Sequence, residues 1–189
     1  ATSDSYVIGG ALSDGGNILV WLQGLLRLNE KEWQDCSNRV AQSYPHEPLD
    51  LIMLPFLSGE RSTGYRSHAT GIFVGLTTTT TPADMVRAAM EAVVCRLTVI
   101  YRQLETNETM LQATGRGLEC NSTWRQMLAD ATGLTVTTGS TTSRGLAYKI
   151  LQHRGVTIPE NSSYQDETTH QTKRKQYSDE KINRHERLS

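Results

Sequence analysis

The sequence has few of the residues that mark secreted, metal-bound or membrane-spanning proteins. Its three cysteines, Cys36, Cys95 and Cys120, are widely spaced and fit neither a disulfide framework nor a zinc-ligand pattern. This usage favours a reducing compartment, so we expect a cytoplasmic protein. The longest apolar run, residues 51–57, is interrupted by Pro55 and is far too short to cross a bilayer. These absences exclude a disulfide-rich scaffold and a membrane-spanning helix within these residues.

An excess of charge of one sign is also lacking. The formal net charge is -1 at pH 7, which gives no general attraction to nucleic acid or to anionic membranes. An initiator methionine and a signal peptide are missing too, and the opening ATSDSYVIGG is typical of an internal segment. We therefore expect a fragment of a longer protein, although processing of the chain would give the same start.

The residues that are present predict one globular domain with a polar appendage. Of 189 residues, 37% are apolar and 21% are charged, which is enough for a sizeable core. Apolar side chains become scarce after Val156. The sequence therefore predicts a domain over residues 1–156 and a polar tail over 157–189 that is either disordered or a weakly docked helix.

Strand and helix patterns alternate along the domain. Apolar runs predict strands at 6–12, 49–57, 72–76, 110–114 and 134–138, and helical periodicity predicts helices at 17–28, 31–43, 81–104, 122–131 and 143–153. The alternation favours an α/β domain. Residues 49–57 are apolar enough for a central strand covered on both faces, and the helix at 17–28 is expected to be mostly buried. Thr81, Pro82 and Asp84 form a helix start, and Gly133 a helix end.

Two glycine-rich turns are candidate ligand-binding loops. In LQATGRGLECNSTWRQMLAD, residues 111–130, glycines follow a strand and precede a helix whose first amides are free to bind an anion. A dinucleotide-binding loop needs a third glycine where Cys120 stands, so an NAD-binding site is a weaker alternative. The second turn, GGALSDGGNILVW at residues 9–21, also places glycines directly before a predicted helix. For both segments, a tight turn without a ligand remains an alternative.

The third candidate is the loop SGERSTGYRSHATG, residues 58–71. Glu60 and Arg61 follow a buried strand, where α/β folds place functional groups, although a surface ion pair between them explains the same residues. The five histidines, in contrast, lack ligand-like spacing and are all expected to face solvent: His46, His68, His153, His170 and His185. We predict no metal site on this chain.

The segment GIFVGLTTTTTPADMVRAAME, residues 71–91, resembles the second signature of the FGGY carbohydrate kinases. That signature needs two glycines around an apolar run, a spacer, and then small residues before an acid. These requirements are met by Gly71, Phe73, Gly75, Leu76, Asp84, Met85, Ala88, Ala89, Met90 and Glu91. The run Thr77 to Thr81 serves as the spacer. LIMLPFLSGERS and ATGRGLECNSTWRQMLADATGLTV resemble two further segments of the family, most closely its gluconokinase-like and xylulokinase-like members.

This resemblance implies a fold and a function. The fold is an actin-like ATPase (ribonuclease H-like) α/β domain, a mixed sheet flanked by helices, incomplete at its N-terminus. The cofactors are ATP and Mg²⁺, with Mg²⁺ bound mainly through ATP and a missing N-terminal domain. That domain carries the general base, so this chain has no catalytic residue. Its expected partners are the missing domain or a second copy, and a small sugar or sugar acid such as gluconate, but no nucleic acid and no membrane.

The resemblance also implies the site residues. By position, Gly16, Gly117 and Asn121 correspond to contacts of the adenosine, and Gly115 and Arg116 complete that nucleotide-binding element. Glu60 and Arg61 correspond to the substrate loop. Arg116 stands where the family usually has glycine, and Leu118 where it has a small residue. These departures leave a second interpretation open, a non-catalytic remnant that serves as a binding or regulatory module.

Overall fold

The computed structural model describes residues 8–138, 150, 151, 154, 166–169 and 172–189. The described part of the chain contains both helices and strands, as the α/β prediction requires. In order they are α1 (Asn17–Leu25), α2 (Glu30–Ser43), β1 (Ile52–Leu54), β2 (Ile72–Val74), α3 (Pro82–Gln103), β3 (Met110–Gln112), α4 (Arg116–Cys120), α5 (Ser122–Thr132), β4 (Thr135–Thr138), β5 (Asp166–Thr168) and α6 (Thr172–Leu188).

The strands form two sheets within the described residues. In the first, β3 lies parallel to β4 with Leu111 opposite Val136, and β5 pairs antiparallel with β4, so this sheet is mixed as predicted. In the second, β1 pairs antiparallel with β2, with Met53 opposite Phe73. The strand expected over 49–57 is shorter than predicted, but every residue of β1 is buried.

Helix α3 is the centre of the packing. It begins as predicted, because Asp84 N–H donates to Thr81 Oγ1 at 3.3 Å and Thr81 N–H donates back to Asp84 Oδ2 at 2.8 Å. Pro82 occupies its first turn. The helix packs against α1, α2, α5, α6 and β1. The small residues Ala88, Ala89 and Ala92 are buried there and permit the close approach of neighbouring elements.

Helix α6, near the end of the chain, contributes to the same core. It packs against α3, α5 and β1, and Ile182 is fully buried. His185 is only 2% exposed, so the prediction that every histidine faces solvent is wrong for this residue. The prediction is confirmed for His46 and His68, which are exposed, whereas His153 and His170 lie outside the described residues.

Other predictions need correction. Only Ile18 and Leu22 of α1 are buried, and Val20 is 73% exposed, so this helix is not mostly buried. Residues 8–12 form no strand, and residues 6 and 7 lie outside the described part, as does most of the helix expected at 143–153. All three cysteines are free thiols, as expected. None of the helices within the described residues is long and apolar enough to cross a membrane.

Candidate functional site

A broad cleft separates helices α1 and α2 from helices α4 and α5. Its volume is about 970 Å³, near the upper end of the range for small-molecule sites. Val86, Met90 and Val93 of α3 form an apolar floor, together with Trp124 of α5. Trp124 is fixed there because its Nε1–H donates to the main-chain oxygen of Met90 at 3.0 Å.

The cleft brings together the residues predicted for the nucleotide side. Gly16 lines it from the start of α1, and Gly115, Arg116, Gly117 and Asn121 line it from the opposite wall. The two glycine-rich turns, which are far apart in sequence, therefore face each other across one cleft. Glu60 and Arg61 do not line this cleft.

The glycines of the cleft are present for different physical reasons. Gly16 has a φ of -60°, and a Cβ added to it meets nothing within 4 Å, so the fold itself does not require glycine there. A Cβ on Gly117 would lie 2.7 Å from Trp124 Cζ3, so packing requires this glycine. Gly115 has a φ of 101°, which other residues rarely adopt. Gly15 also lines the cleft, and a Cβ added to it likewise meets nothing within 4 Å, so there is open space beside both Gly15 and Gly16.

Asn121 has a structural role as well as a place in the cleft. Trp124 N–H donates to Asn121 Oδ1 at 2.9 Å, which caps helix α5. This bond uses the carbonyl oxygen of the side chain and leaves its NH₂ group to donate toward the cleft. Replacing Asn121 by alanine would therefore remove a helix cap together with any ligand contact.

The turn GRGLECN differs from its prediction. It contains α4, a helix of five residues, and is not a plain loop. Gly115 N–H donates to Glu119 Oε1 at 3.0 Å, so this amide is not free to bind an anion. Arg125 Nη1 donates to the main-chain oxygens of Leu118 and Glu119, both at 2.8 Å, and so fastens α4 to α5.

Few of the described residues that line the cleft are charged. Arg116 is the only lining residue within the described part of the chain that carries a formal charge at neutral pH, and no Asp, Glu or His lines the cleft there. Most polar lining groups are hydroxyls and amides. An anionic ligand therefore meets no negatively charged side chain among the described residues that line this cleft.

The loop 58–71 is fastened by a buried ion pair. Glu60 is 4% exposed and accepts hydrogen bonds from Arg96 Nη2 and, at 2.6 Å, from Arg66 Nε. Burial opposes ionisation of Glu60, but the Arg66 hydrogen bond and the Arg96 charge outweigh it and lower its pKa. The surface pair considered between Glu60 and Arg61 is therefore wrong, because Arg61 is exposed and does not pair with Glu60.

One wall of the cleft is not predicted from the sequence. Helix α2 presents one face to it, composed of Trp33, Gln34, Ser37, Asn38 and Ala41. The only signal in the sequence was that these residues recur at helical spacing on one face. Among the described residues, no group of three or more His, Cys, Asp or Glu side chains could hold a metal ion.

Comparisons with known proteins identify the family. Residues 1–148 match the FGGY family of carbohydrate kinases, C-terminal domain. Gluconokinase of Bacillus subtilis is 31% identical over 141 residues, 68% of this chain and 27% of that protein. Xylulose kinase of Staphylococcus xylosus is 30% identical over 149 residues, 77% of this chain and 30% of that protein. The chain therefore spans less than a third of the length of these curated relatives.

The fold agrees with this relationship. The crystal structure of gluconate kinase from Lactobacillus acidophilus superposes with a TM-score of 0.81 at 24% identity, covering 95% of this chain and 38% of that one. The actin-like ATPase fold predicted from the sequence is confirmed by this superposition. The chain thus belongs to the FGGY family of carbohydrate kinases and carries the C-terminal domain of that family.

Proposed function

We propose that this chain is the nucleotide-binding half of a kinase that transfers the γ-phosphoryl group of ATP to a hydroxyl of a sugar or sugar acid. Carbohydrate kinases of this family use ATP. The observation that carries the proposal is the single cleft lined by Gly16, Gly115, Arg116, Gly117 and Asn121. The family resemblance assigns these residues to the nucleotide, and they meet although the two turns are distant in sequence.

The cleft suits an adenosine group. The base lies on the apolar floor of Val86, Met90 and Val93, and the missing side chain of Gly16 leaves room for it. Asn121 donates a hydrogen bond from its free NH₂ group. Mg²⁺ arrives with the phosphates, which also contact a second domain. The family resemblance implies that the second domain completes the metal site.

We also propose that the chain alone does not phosphorylate a sugar. Phosphoryl transfer depends on positioning, Mg²⁺ and a residue that accepts the proton of the attacking hydroxyl. No such base lines the described cleft, and an N-terminal domain would supply it together with most sugar contacts. The similarity to gluconokinase favours a gluconate-like substrate. Phosphorylation of gluconate by the purified chain would contradict this part of the proposal.

Replacing Gly16 with leucine tests the nucleotide site. A side chain at Gly16 projects into open space, so Gly16→Leu should change the free energy of unfolding by less than about 1 kcal/mol. The same side chain would occupy the cleft, and we expect the affinity for Mg-ATP to fall at least about tenfold, since a blocked ligand loses contacts worth more than 1.4 kcal/mol. Calorimetric titration and denaturant unfolding measure the two effects.

Gly24 provides a matched control on the same helix. A Cβ added to Gly24 also meets nothing within 4 Å, but Gly24 does not line the cleft. Gly24→Leu should bind Mg-ATP like the unmodified chain. If both variants bind equally well, the nucleotide does not lie beside Gly16 and the proposed site is wrong.

A second function is supported by two residues of the cleft. Arg116 and Leu118 both line it, where the family usually has smaller residues. A non-catalytic module that has lost nucleotide binding would account for both side chains. A folded chain that binds no Mg-ATP at all would favour this alternative over the kinase half.

A further inference from the structure

We propose that Arg116 makes this cleft select nucleotides by their number of phosphate groups, an inference that rests on the nucleotide site proposed above. Arg116 is exposed and lines the cleft at the start of α4. It forms no ion pair with any residue in the part of the chain that the structure describes. Its charge is therefore available to a ligand.

The surroundings leave this charge unopposed. Every other described residue that lines the cleft is uncharged at neutral pH. The acid nearest in sequence, Glu119, does not line the cleft, and its Oε1 accepts a hydrogen bond from Gly115 N–H at 3.0 Å. A lone positive charge attracts a ligand more strongly as the negative charge of the ligand increases.

The main chain around Arg116 is held in place by contacts with α5. Arg125 Nη1 holds the main-chain oxygens of Leu118 and Glu119, and Gly117 packs directly against the ring of Trp124. The main chain that carries Arg116 is thus tied to α5 at several points. Preorganisation of this kind lowers the entropy lost when the guanidinium binds a phosphate.

The positions of the apolar and charged residues in the cleft predict how a nucleotide is oriented there. The floor formed by Val86, Met90 and Val93 is apolar and suits an uncharged base, whereas the one charged group among the described lining residues, Arg116, lies on the wall. Phosphate groups therefore extend toward α4, where the planar guanidinium can donate two parallel hydrogen bonds. The ligand class is nucleoside polyphosphates, and affinity should rise from adenosine through AMP and ADP to ATP.

Titrations with that series of ligands test the inference. Adenosine, AMP, ADP and ATP are titrated by calorimetry at low ionic strength, without Mg²⁺, into the unmodified chain and its variants. Arg116→Gln should weaken ATP binding about tenfold, the size of one charge-assisted contact, while adenosine binding stays unchanged. Arg116→Lys should restore part of the difference. Arg39→Gln removes an exposed charge of α2 that does not line the cleft, and it should behave like the unmodified chain.

The outcomes separate this inference from the function on which it rests. The role of Arg116 is wrong if adenosine and ATP bind equally well. It is also wrong if the affinity of Arg116→Gln rises from adenosine to ATP as much as that of the unmodified chain. In both cases the nucleotide site stands. If none of the four ligands binds, both the site and the inference are overturned.

Discussion

Replacing Glu91 with glutamine should lower the free energy of unfolding by about 3–5 kcal/mol, the usual cost of removing one partner from a buried ion pair. Glu91 joins α3 to α6. Arg87 Nε donates to Glu91 Oε1 at 2.9 Å, and Lys181 Nζ lies 3.1 Å from Glu91 Oε2. All three side chains are buried. Without the carboxylate, two cations would remain buried without a counter-charge.

Asp50 provides the matched control, since it pairs with the same helix at the surface. Arg184 Nη1 lies 2.9 Å from Asp50 Oδ1, and both side chains are well exposed. Asp50→Asn should therefore cost at most about 1 kcal/mol. Denaturant unfolding measures both variants. Adding Lys181→Met to Glu91→Gln should recover part of the loss, because one stranded cation is removed. Equal effects of the two single variants would contradict this account of Glu91.

The stability of the chain should also fall between pH 6.5 and pH 4 because of His185. Burial lowers the pKa of His185 to about 4, and the positive charge of Arg96 acts in the same direction. The unfolded chain, with an ordinary pKa near 6.5, binds the proton first as the pH falls. The stability present above pH 6.5 is therefore lost on acidification, by about 2 kcal/mol between pH 7 and pH 5.

The pH range in which His185 affects stability can be separated from that of its neighbour Glu60. Glu60 faces the same region, but its pKa is lowered, so its contribution is lost only below the ordinary value of 4.5. Among the described groups with a shifted pKa, His185 is therefore the one whose contribution changes between pH 6.5 and pH 4.5. Unfolding of His185→Gln, measured from pH 7 to pH 5, should lose most of the pH dependence. His68→Gln, at an exposed position, should keep it. If His185→Gln keeps the slope, another group is responsible.

Local signals in the sequence predicted the parts of the fold that depend on neighbouring residues. The start of α3 at Thr81 and Pro82 was confirmed because its cap involves residues only three positions apart. Gly133 ends α5 with a φ of 76°, as its position after a helical pattern predicted. Such features need no knowledge of the rest of the molecule.

Burial of polar groups could not be predicted in this way. His185 lies in a helix whose sequence is mostly charged, and only its packing against β1 and α3 makes it a core residue. The ion pair considered between Glu60 and Arg61 is wrong, because Glu60 pairs instead with Arg66 of the same loop and with Arg96 of α3, and the contact with Arg96 joins residues 36 positions apart. The burial of α1 was overestimated, since apolar periodicity does not reveal whether another element covers each face.

In the candidate site, too, the sequence does not predict the features that depend on tertiary packing. The family resemblance predicts Gly16 and Asn121 as site residues, and no spacing rule places these two residues on one cleft. The wall formed by α2 was missed because Gln34 and Asn38 resemble the residues of any exposed helix surface. Tertiary contacts alone reveal that this surface faces the glycine-rich turn.

A calorimetric titration of the chain with Mg-ATP, in the presence of gluconate, tests the central claim most directly. The account predicts a binding isotherm without the sustained heat of turnover. It also predicts weaker binding by Asn121→Ser, because serine keeps the cap of α5 but lacks the NH₂ donor. Absence of binding to a folded chain, or equal binding by the variant, would contradict the assignment of this cleft to the nucleotide.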